Sequence, residues 1–100
     1  MRILTFDLED WFHLAGARGP GAEARAKPRV EAMADRVLDL LSDTRQAATF
    51  FCLGAVADAH PALVRRIAAA GHEVGCHSHL HRTLAETGPA AFREDLRRAL

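Results

Sequence analysis

Two short segments of the sequence are rich in side chains that bind metals and transfer protons. The segment 7–10 carries three carboxylic acids in four positions, and the segment 77–81 carries three histidines in five positions. Imidazole nitrogens together with a carboxylate form a ligand set for Zn²⁺ or a related divalent cation. A cation of this kind lowers the pKa of a water molecule, and a separate carboxylate can act as the general base. The two segments together therefore predict a hydrolytic metal site.

The hydrophobic pattern predicts elements that would bring these two segments together. Buried strands are expected over three apolar runs, at 2–6, 47–53 and 72–76. Helices are expected where apolar residues recur with helical spacing, over 30–41, 61–70 and 89–100. This alternating order predicts a parallel α/β unit with crossover helices. Since ligands bind at the carboxyl ends of parallel strands, we expect the acids and the histidines to converge there.

The same pattern predicts which side chains are buried. The first helix is expected to bury Val30, Met33, Ala34, Val37, Leu38 and Leu41, and the last to bury Phe92, Leu96 and Leu100. Cys52 and Cys76 lie in apolar segments, so we expect two buried free thiols rather than a disulfide framework. The segment 13–29 is rich in glycine and proline and has little periodicity, which predicts a long irregular loop.

The composition argues against several classes of function. Thirteen Lys and Arg residues balance thirteen Asp and Glu residues without a basic stripe, which argues against a nucleic-acid partner. The longest nearly apolar run, 47–57, is shorter than the roughly 18–20 residues that cross a bilayer. The apolar run at 3–6 ends in acids, whereas a secretory signal needs an apolar core of about 7–15 residues. We therefore expect no transmembrane segment and a cytoplasmic location, with a position near the inner membrane as one option.

Three segments resemble one known family. They are Leu-Thr-Phe-Asp-Leu-Glu-Asp-Trp-Phe at 4–12, Ala-Thr-Phe-Phe at 48–51 and Ala-Gly-His-Glu-Val-Gly-Cys-His-Ser-His-Leu-His at 70–81. In this order they resemble the polysaccharide deacetylases of the NodB-homology type, carbohydrate esterase family 4. The Asp-x-Glu-Asp-Trp-Phe variant most resembles the branch associated with exosortase and exopolysaccharide loci. The resemblance covers nearly the whole chain.

The resemblance implies a fold and a reaction. The fold would be a distorted (β/α)₇ barrel, of which residues 1–100 would form the N-terminal portion of a single domain, with the rest of the barrel C-terminal to Leu100. The reaction would be metal-dependent hydrolysis of N-acetyl groups from an amino-sugar polysaccharide. No Leu-x-His motif occurs in these 100 residues, and no Arg-x-Pro motif follows the histidines of the segment 77–81, where the family has it. We therefore expect the 100 residues alone to be inactive.

The resemblance also implies roles for individual residues. His77 and His81 of the His-Ser-x-x-His motif would bind a divalent metal, expected to be Zn²⁺, with Co²⁺ or another divalent cation as the alternative. Asp7 would be the catalytic base that takes a proton from the attacking water. The family usually has adjacent aspartates at this point, and this chain departs from that pattern. Alternation along a strand places Asp7 and Glu9 on one face, and either Glu9 or Asp10 is expected to be the third ligand.

Two further residues are expected to support the site. The resemblance implies that Ser78 steadies the histidine loop. Trp11 follows the acids directly, and it would either line the site and contact a sugar face or serve ordinary packing.

Two other functions fit the same residues. In the first, His77-x-His79 or His79-x-His81 would be the His-x-His pair that amidohydrolase-like and phosphoesterase-like metal enzymes carry at a strand end. This hydrolase function leaves the acid cluster on the first strand unexplained. A non-catalytic carbohydrate-binding or assembly module would keep the fold and the metal without releasing acetate. The remaining histidines, His13, His60 and His72, are expected to have structural roles.

Overall fold

The computed structural model describes residues 1–14 and 27–100. Three strands, β1 (Thr5–Leu8), β2 (Thr49–Cys52) and β3 (Glu73–Cys76), form a parallel sheet in the order β1-β2-β3. Four helices are present among the described residues: α1 (Val30–Thr44), α2 (Gly54–Ala59), α3 (Pro61–Ala69) and α4 (Leu84–Ala99). A 3₁₀ turn at Trp11–His13 follows β1. The expected parallel α/β class is confirmed.

The strand register determines which side chains share a face of the sheet. Asp7 pairs with Phe51, which in turn pairs with Gly75. Because side chains alternate along a strand, these three positions lie on one face of the sheet and their neighbours on the other. A Cβ atom at Gly75 would lie 2.8 Å from the Phe51 ring, so glycine is needed for the ring to cover this position.

The opposite face of the sheet packs against helices and forms the core. Phe50 at the centre of β2 is fully buried and stacks on Phe6 of β1, with ring centroids 5.3 Å apart. The remaining large, fully buried side chains come from the segment that follows β2 and from α2 and α3: Leu53, Val56, Leu63 and Ile67. Burial of each such side chain contributes roughly 1.5–3 kcal/mol. The core therefore fixes the end of β2 against α2 and α3.

Several element boundaries differ from those predicted. Strand β1 starts later than predicted and extends to Leu8, so Asp7 lies within the strand. The short helix α2 was not predicted, because Gly54 marks the end of an apolar run and normally weakens a helix. Helix α4 is broken at Gly88, where φ is 70°, and the helix predicted from Pro89 is its second part. The first part, at 84–87, was not predicted, and Thr83 caps it together with Glu86.

Three burial predictions are wrong for the described residues. Met33 is 55% exposed on α1. Cys76 is exposed on the edge strand β3. Helix α4 has no buried residue, and the expected apolar side is half-buried at Phe92 and exposed at Leu96 and Leu100. The physical reason is common to the last two cases: among the described residues only three strands are present, and they leave the outer side of β3 and of α4 uncovered.

The long loop predicted at 13–29 is described only at its ends. Its first residue, His13, belongs to the 3₁₀ turn, and residues 27–29 lead into α1 without regular structure. Residues 15–26 lie outside the described part of the chain. Among the residues that are described, no helix combines the length and apolarity needed to cross a bilayer.

Candidate metal centre

At the end of β1 the extended chain places Asp7 and Glu9 on one side and Asp10 on the other. Leu8 is buried in the helix-side core, and its carbonyl accepts a hydrogen bond from the Leu53 amide at 3.2 Å. Asp10 is also buried, at 3% exposure, whereas Glu9 is half-buried and Asp7 is exposed. The alternation of the strand thus continues to residue 10. It separates Asp7 and Glu9 from Asp10.

The segment 77–81, termed the histidine loop, is held to the end of β2 and the start of α2 by its backbone. The His77 amide donates to the Cys52 carbonyl at 3.0 Å, which extends the β2–β3 pairing by one bond. The carbonyls of residues 78 and 79 accept hydrogen bonds from the Gly54 and Ala55 amides at 2.9 and 3.1 Å. The loop is therefore fixed relative to the core of the molecule.

Two residues of the histidine loop have left-handed backbone conformations. Ser78 has φ of 60° and His81 has φ of 56°, and such values are uncommon for residues other than glycine. The Ser78 hydroxyl accepts a hydrogen bond from the His81 amide at 3.1 Å. This bond closes the loop across the two left-handed positions. The loop-supporting role expected for Ser78 agrees with this contact.

Glu9, His77 and His81 form a compact group at the carboxyl end of the sheet. Each offers one ligand atom, and these atoms all lie within 4.8 Å of one another. Glu9 Oε2 is 3.4 Å from His81 Nε2, and the two imidazole rings have centroids 5.0 Å apart. The convergence of the acids and the histidines that the sequence predicts is thus present in the structure.

The chemistry of this group fits a divalent cation. Within the described part of the chain, three buried side-chain atoms have no hydrogen-bond partner: Glu9 Oε2 and His77 Nε2 in this group, and His79 Nδ1 outside it. Buried polar atoms are costly unless something satisfies them. One carboxylate oxygen and two imidazole nitrogens are the donor set of many catalytic zinc sites, which keep a fourth position open. A cation at this point would satisfy both unpartnered atoms.

The 3₁₀ turn after β1 orients one of the two imidazoles. The His13 carbonyl lies 3.2 Å from His81 Nδ1, so a proton on Nδ1 leaves Nε2 unprotonated and facing Glu9. Metal-binding histidines commonly donate their second ring N–H in this way. His13 was expected to be a loop residue without such a role. The sequence signal is its position three residues after Asp10, because the Asp10 amide donates to His13 Nδ1 at 2.9 Å.

Asp10 lies outside the group and binds backbone amides instead. Its carboxylate accepts hydrogen bonds from the amides of Trp11, Arg29 and Val30 at 3.0, 2.9 and 3.1 Å. It therefore begins the 3₁₀ turn and caps the first turn of α1 at the same time. The structure places Glu9, and not Asp10, beside the two imidazoles.

Asp7 lies at the rim of the group. Its Oδ2 is 3.8 Å from His77 Nε2, and its side chain is 56% exposed. A carboxylate in this position is accessible to solvent and close to the ligand atoms. It can therefore accept a proton from a water molecule held by the group.

His79, the central histidine of the loop, is directed away from the group. It is 3% exposed, and its Nε2 is 4.0 Å from Asp58 Oδ2 on α2. A Cβ atom at Gly54 would overlap the His79 ring, so the absence of a side chain at Gly54 makes room for it. Neither His77-x-His79 nor His79-x-His81 forms a ligand pair in this arrangement.

Trp11 lies on the surface next to the acids and is 45% exposed. Its indole N–H donates to the Lys27 carbonyl at 3.2 Å, which ties the 3₁₀ turn to the chain that enters α1. Its ring contacts Phe12 edge to face, with centroids 5.8 Å apart. The hydrogen bond to Lys27 supports the segment that leads into α1. The exposed part of the ring is accessible to a sugar.

The sequence model of the family described as "Polysaccharide deacetylase" matches residues 3–100. The chain belongs to this family. A chitooligosaccharide deacetylase of Sinorhizobium fredii is 48% identical over 52 residues, which are 52% of this chain and 24% of that protein. A peptidoglycan-N-acetylglucosamine deacetylase of Bacillus cereus is 38% identical over 61 residues, which are 61% of this chain and 22% of that protein.

A solved structure of a relative supports the fold assignment. The peptidoglycan deacetylase PdaC from Bacillus subtilis superposes with a TM-score of 0.71 at 26% identity, covering 97% of this chain and 39% of that one. The chain thus spans about a quarter of the curated relatives and less than half of this solved structure. The three parallel strands and their helices correspond to part of the (β/α) barrel of the polysaccharide deacetylases.

Proposed function

We propose that the protein hydrolyses N-acetyl groups of an amino-sugar polysaccharide, with a divalent cation bound by Glu9, His77 and His81. The observation that carries this proposal is the convergence of these three side chains, with two unpartnered buried atoms among them, in a chain of this family. Zn²⁺ is the expected cation because it takes imidazole and carboxylate ligands with one position left open. Co²⁺ would occupy the same donor set.

The cation, when bound, would supply Lewis-acid chemistry that polarises a carbonyl oxygen and acidifies a water molecule. The chain's own part begins with Asp7, whose exposed carboxylate lies 3.8 Å from His77. From this position Asp7 takes a proton from the water that attacks the acetamide carbonyl carbon. The carbon–nitrogen bond then breaks, and the products are acetate and the sugar amine, which accepts the proton taken from the water. The His13 carbonyl holds His81 in the tautomer that presents Nε2 to the site. Asp10 holds the turn that carries this carbonyl.

The substrate class follows from the relatives. The relatives named above are a chitooligosaccharide deacetylase and a peptidoglycan-N-acetylglucosamine deacetylase, so an N-acetylglucosamine polymer or a similar exopolysaccharide is the proposed substrate. Trp11 presents an exposed aromatic ring next to the acids, and we propose that it contacts the apolar face of a sugar ring. Aromatic faces commonly serve in this way because they are large and rigid.

The test is acetate release from N-acetylglucosamine oligomers by the full-length protein supplied with Zn²⁺. We expect release by the wild type and a loss of roughly 10²–10⁴-fold in kcat for Asp7→Asn, with the cation still bound. Asp39→Asn is the matched control, because it makes the same change on the exposed side of α1. A wild-type protein that binds oligomers without releasing acetate would instead be a carbohydrate-binding module.

The alternative His-x-His hydrolase predicts a different role for His79. If it were correct, His79→Ala would remove the cation. The geometry predicts that His79→Ala keeps the cation, whereas His77→Ala or His81→Ala loses it. Metal content after dialysis distinguishes the two functions, and thermal melting of each variant shows that it is folded.

A further inference from the structure

The histidine loop is held on its second side by an acid from α4. Asp95 Oδ2 accepts a hydrogen bond from the His79 amide at 2.7 Å, and Oδ1 accepts one from the Leu80 amide at 2.9 Å. The two amides are consecutive, and both lie between the two histidines that face Glu9. One half-buried carboxylate thus binds the middle of the loop with both oxygens.

We propose that Asp95 is a positioning residue for the metal centre, acting through the backbone of the histidine loop. This role rests on the proposed cation site. The loop has left-handed backbone at Ser78 and His81, and such conformations persist only where surrounding contacts impose them. Hydrogen bonds from backbone amides to a carboxylate are shorter and stronger than those between neutral groups.

The other contacts of the loop show why Asp95 is needed. Two carbonyls of the loop are held by the amides of Gly54 and Ala55, on the side of α2. The amides of residues 79 and 80 point to the other side, where the Asp95 carboxylate receives them. The loop is therefore clamped between α2 and α4. Without the carboxylate, the peptide groups that separate His77 from His81 lose one of these two supports.

No local sequence pattern indicates this residue. Asp95 lies 15 and 16 positions beyond the two amides, in the C-terminal half of a helix whose neighbouring acid, Glu94, pairs with Arg97. The two acids differ in what their carboxylates contact. Glu94 is exposed and contacts its own helix, whereas Asp95 reaches the loop. Glu94→Gln is therefore the matched control for Asp95→Asn.

The first measurement is Zn²⁺ affinity of the full-length protein, determined by competition with a chelator. Asp95→Asn retains one acceptor oxygen but places an NH₂ group against a backbone amide, so one hydrogen bond is lost. We expect Zn²⁺ affinity to fall roughly 10–100-fold, as is typical for residues that orient metal ligands. Glu94→Gln is expected to bind as the wild type does. The absorption spectrum of the Co²⁺-loaded protein should change in Asp95→Asn alone, and thermal melting shows that both variants are folded at the temperature of the measurement.

The second measurement is amide hydrogen exchange without metal, which keeps the test independent of the reaction. The amides of His79 and Leu80 should be protected in the wild type and in Glu94→Gln, and should exchange faster in Asp95→Asn. Unchanged Zn²⁺ affinity and unchanged protection in Asp95→Asn would overturn the role of Asp95. Normal metal binding with no acetate release would overturn the proposed reaction and leave the role of Asp95 intact.

Discussion

At the scale of single residues, the adjacent acids Glu9 and Asp10 have different surroundings because they lie on opposite sides of the extended chain. Asp10 is buried and binds three backbone amides. Glu9 faces two imidazoles, and its buried Oε2 lies 3.4 Å from His81 Nε2 without a hydrogen bond among the described residues. Substitutions at the two positions should therefore affect different properties, namely metal affinity at Glu9 and folding stability at Asp10.

Replacement of Glu9 by glutamine tests the ligand role. The amide is nearly the same size but binds a divalent cation weakly, so we expect Zn²⁺ affinity to fall by more than the roughly 10–100-fold typical of outer-shell changes. The free energy of unfolding of the metal-free protein should change little, because Oε2 of Glu9 has no hydrogen-bond partner among the described residues. Chelator competition and urea denaturation measure the two effects. Zn²⁺ affinity equal to that of the wild type would exclude Glu9 as a ligand.

Replacement of Asp10 by alanine tests the capping role. Three backbone amides lose their hydrogen-bond acceptor, and each buried donor left without one lowers the free energy of unfolding by about 1–3 kcal/mol. Hydration and local relaxation of the chain reduce this loss. We expect the free energy of unfolding to fall by about 2 kcal/mol or more. Urea denaturation of the full-length protein measures this, with Asp39→Ala on the surface of α1 as the control. Unchanged stability together with complete loss of Zn²⁺ binding would indicate that Asp10 is a ligand after all.

The sequence predicts well which side chains share a face of a strand, and it predicts poorly the contacts between distant positions. Alternation already placed Asp7 and Glu9 on one face, and the structure has them there. The hydrogen bonds from Arg29 and Val30 to Asp10 span 19 and 20 positions, and no local pattern encodes a chain returning over such a distance. The same reason explains why His13 and Asp95, which act through backbone groups, were not predicted as parts of the site.

At the scale of elements, the histidine loop depends on the fit between Gly54 at the start of α2 and the buried His79. A Cβ atom at Gly54 would overlap the His79 ring and would also lie 3.3 Å from Ala99 Cα on α4. Neither α2 nor the loop can move freely, since their backbones are hydrogen-bonded to each other. The contact therefore links the packing of two helices to the position of His77 and His81, the two histidines proposed as metal ligands.

A double-mutant cycle tests this contact. Gly54→Ala alone should lower the free energy of unfolding by roughly 1–3 kcal/mol, because overpacked sites respond by strain. His79→Ala removes the overlapping ring, so the double variant should be more stable than the sum of the single effects by about 0.5–3 kcal/mol. Urea denaturation of the four proteins provides the cycle. Strictly additive effects would show that Gly54 and His79 do not interact.

Elements with strong apolar periodicity were predicted, and those determined by capping or packing were not. Helix α1 and the three strands follow from their apolar patterns, with ends shifted by a few residues. Helix α2 lacks such a pattern, since it has only six residues and exists because Leu53 and Val56 are buried against α3. The part of α4 before Gly88 depends on the Thr83 and Glu86 capping box rather than on hydrophobic spacing.

At the scale of the whole molecule, a three-stranded parallel sheet covered by helices positions the site at its carboxyl end. Cys52 on β2 is buried in this arrangement, and burial raises the pKa of its thiol from the ordinary value of 9.0 to about 11. A raised thiol pKa means that the reactive thiolate forms only at higher pH. Cys52 is therefore expected to be chemically inert in the folded protein.

Alkylation of the folded protein as a function of pH tests this expectation. Labelling of Cys52 by iodoacetamide should stay low at pH 9 and increase only as the pH approaches 11. Burial limits access of the reagent, and the neutral thiol is a poor nucleophile. In urea, the same residue should be labelled with the pH dependence of an ordinary thiol. Peptide mass spectrometry reports the labelling of Cys52 separately from other thiols. Rapid labelling of Cys52 in the folded protein at neutral pH would contradict the packing described for β2.

The central claim is that Glu9, His77 and His81 bind one divalent cation, and the most direct test is a crystal structure of the full-length protein grown with Zn²⁺. Anomalous data collected on both sides of the zinc absorption edge identify the ion and its position. We predict one anomalous peak at about 2.0–2.2 Å from a Glu9 carboxylate oxygen and from Nε2 of both histidines. A zinc ion held by Asp10 or His79, or no peak at this site, would contradict the claim.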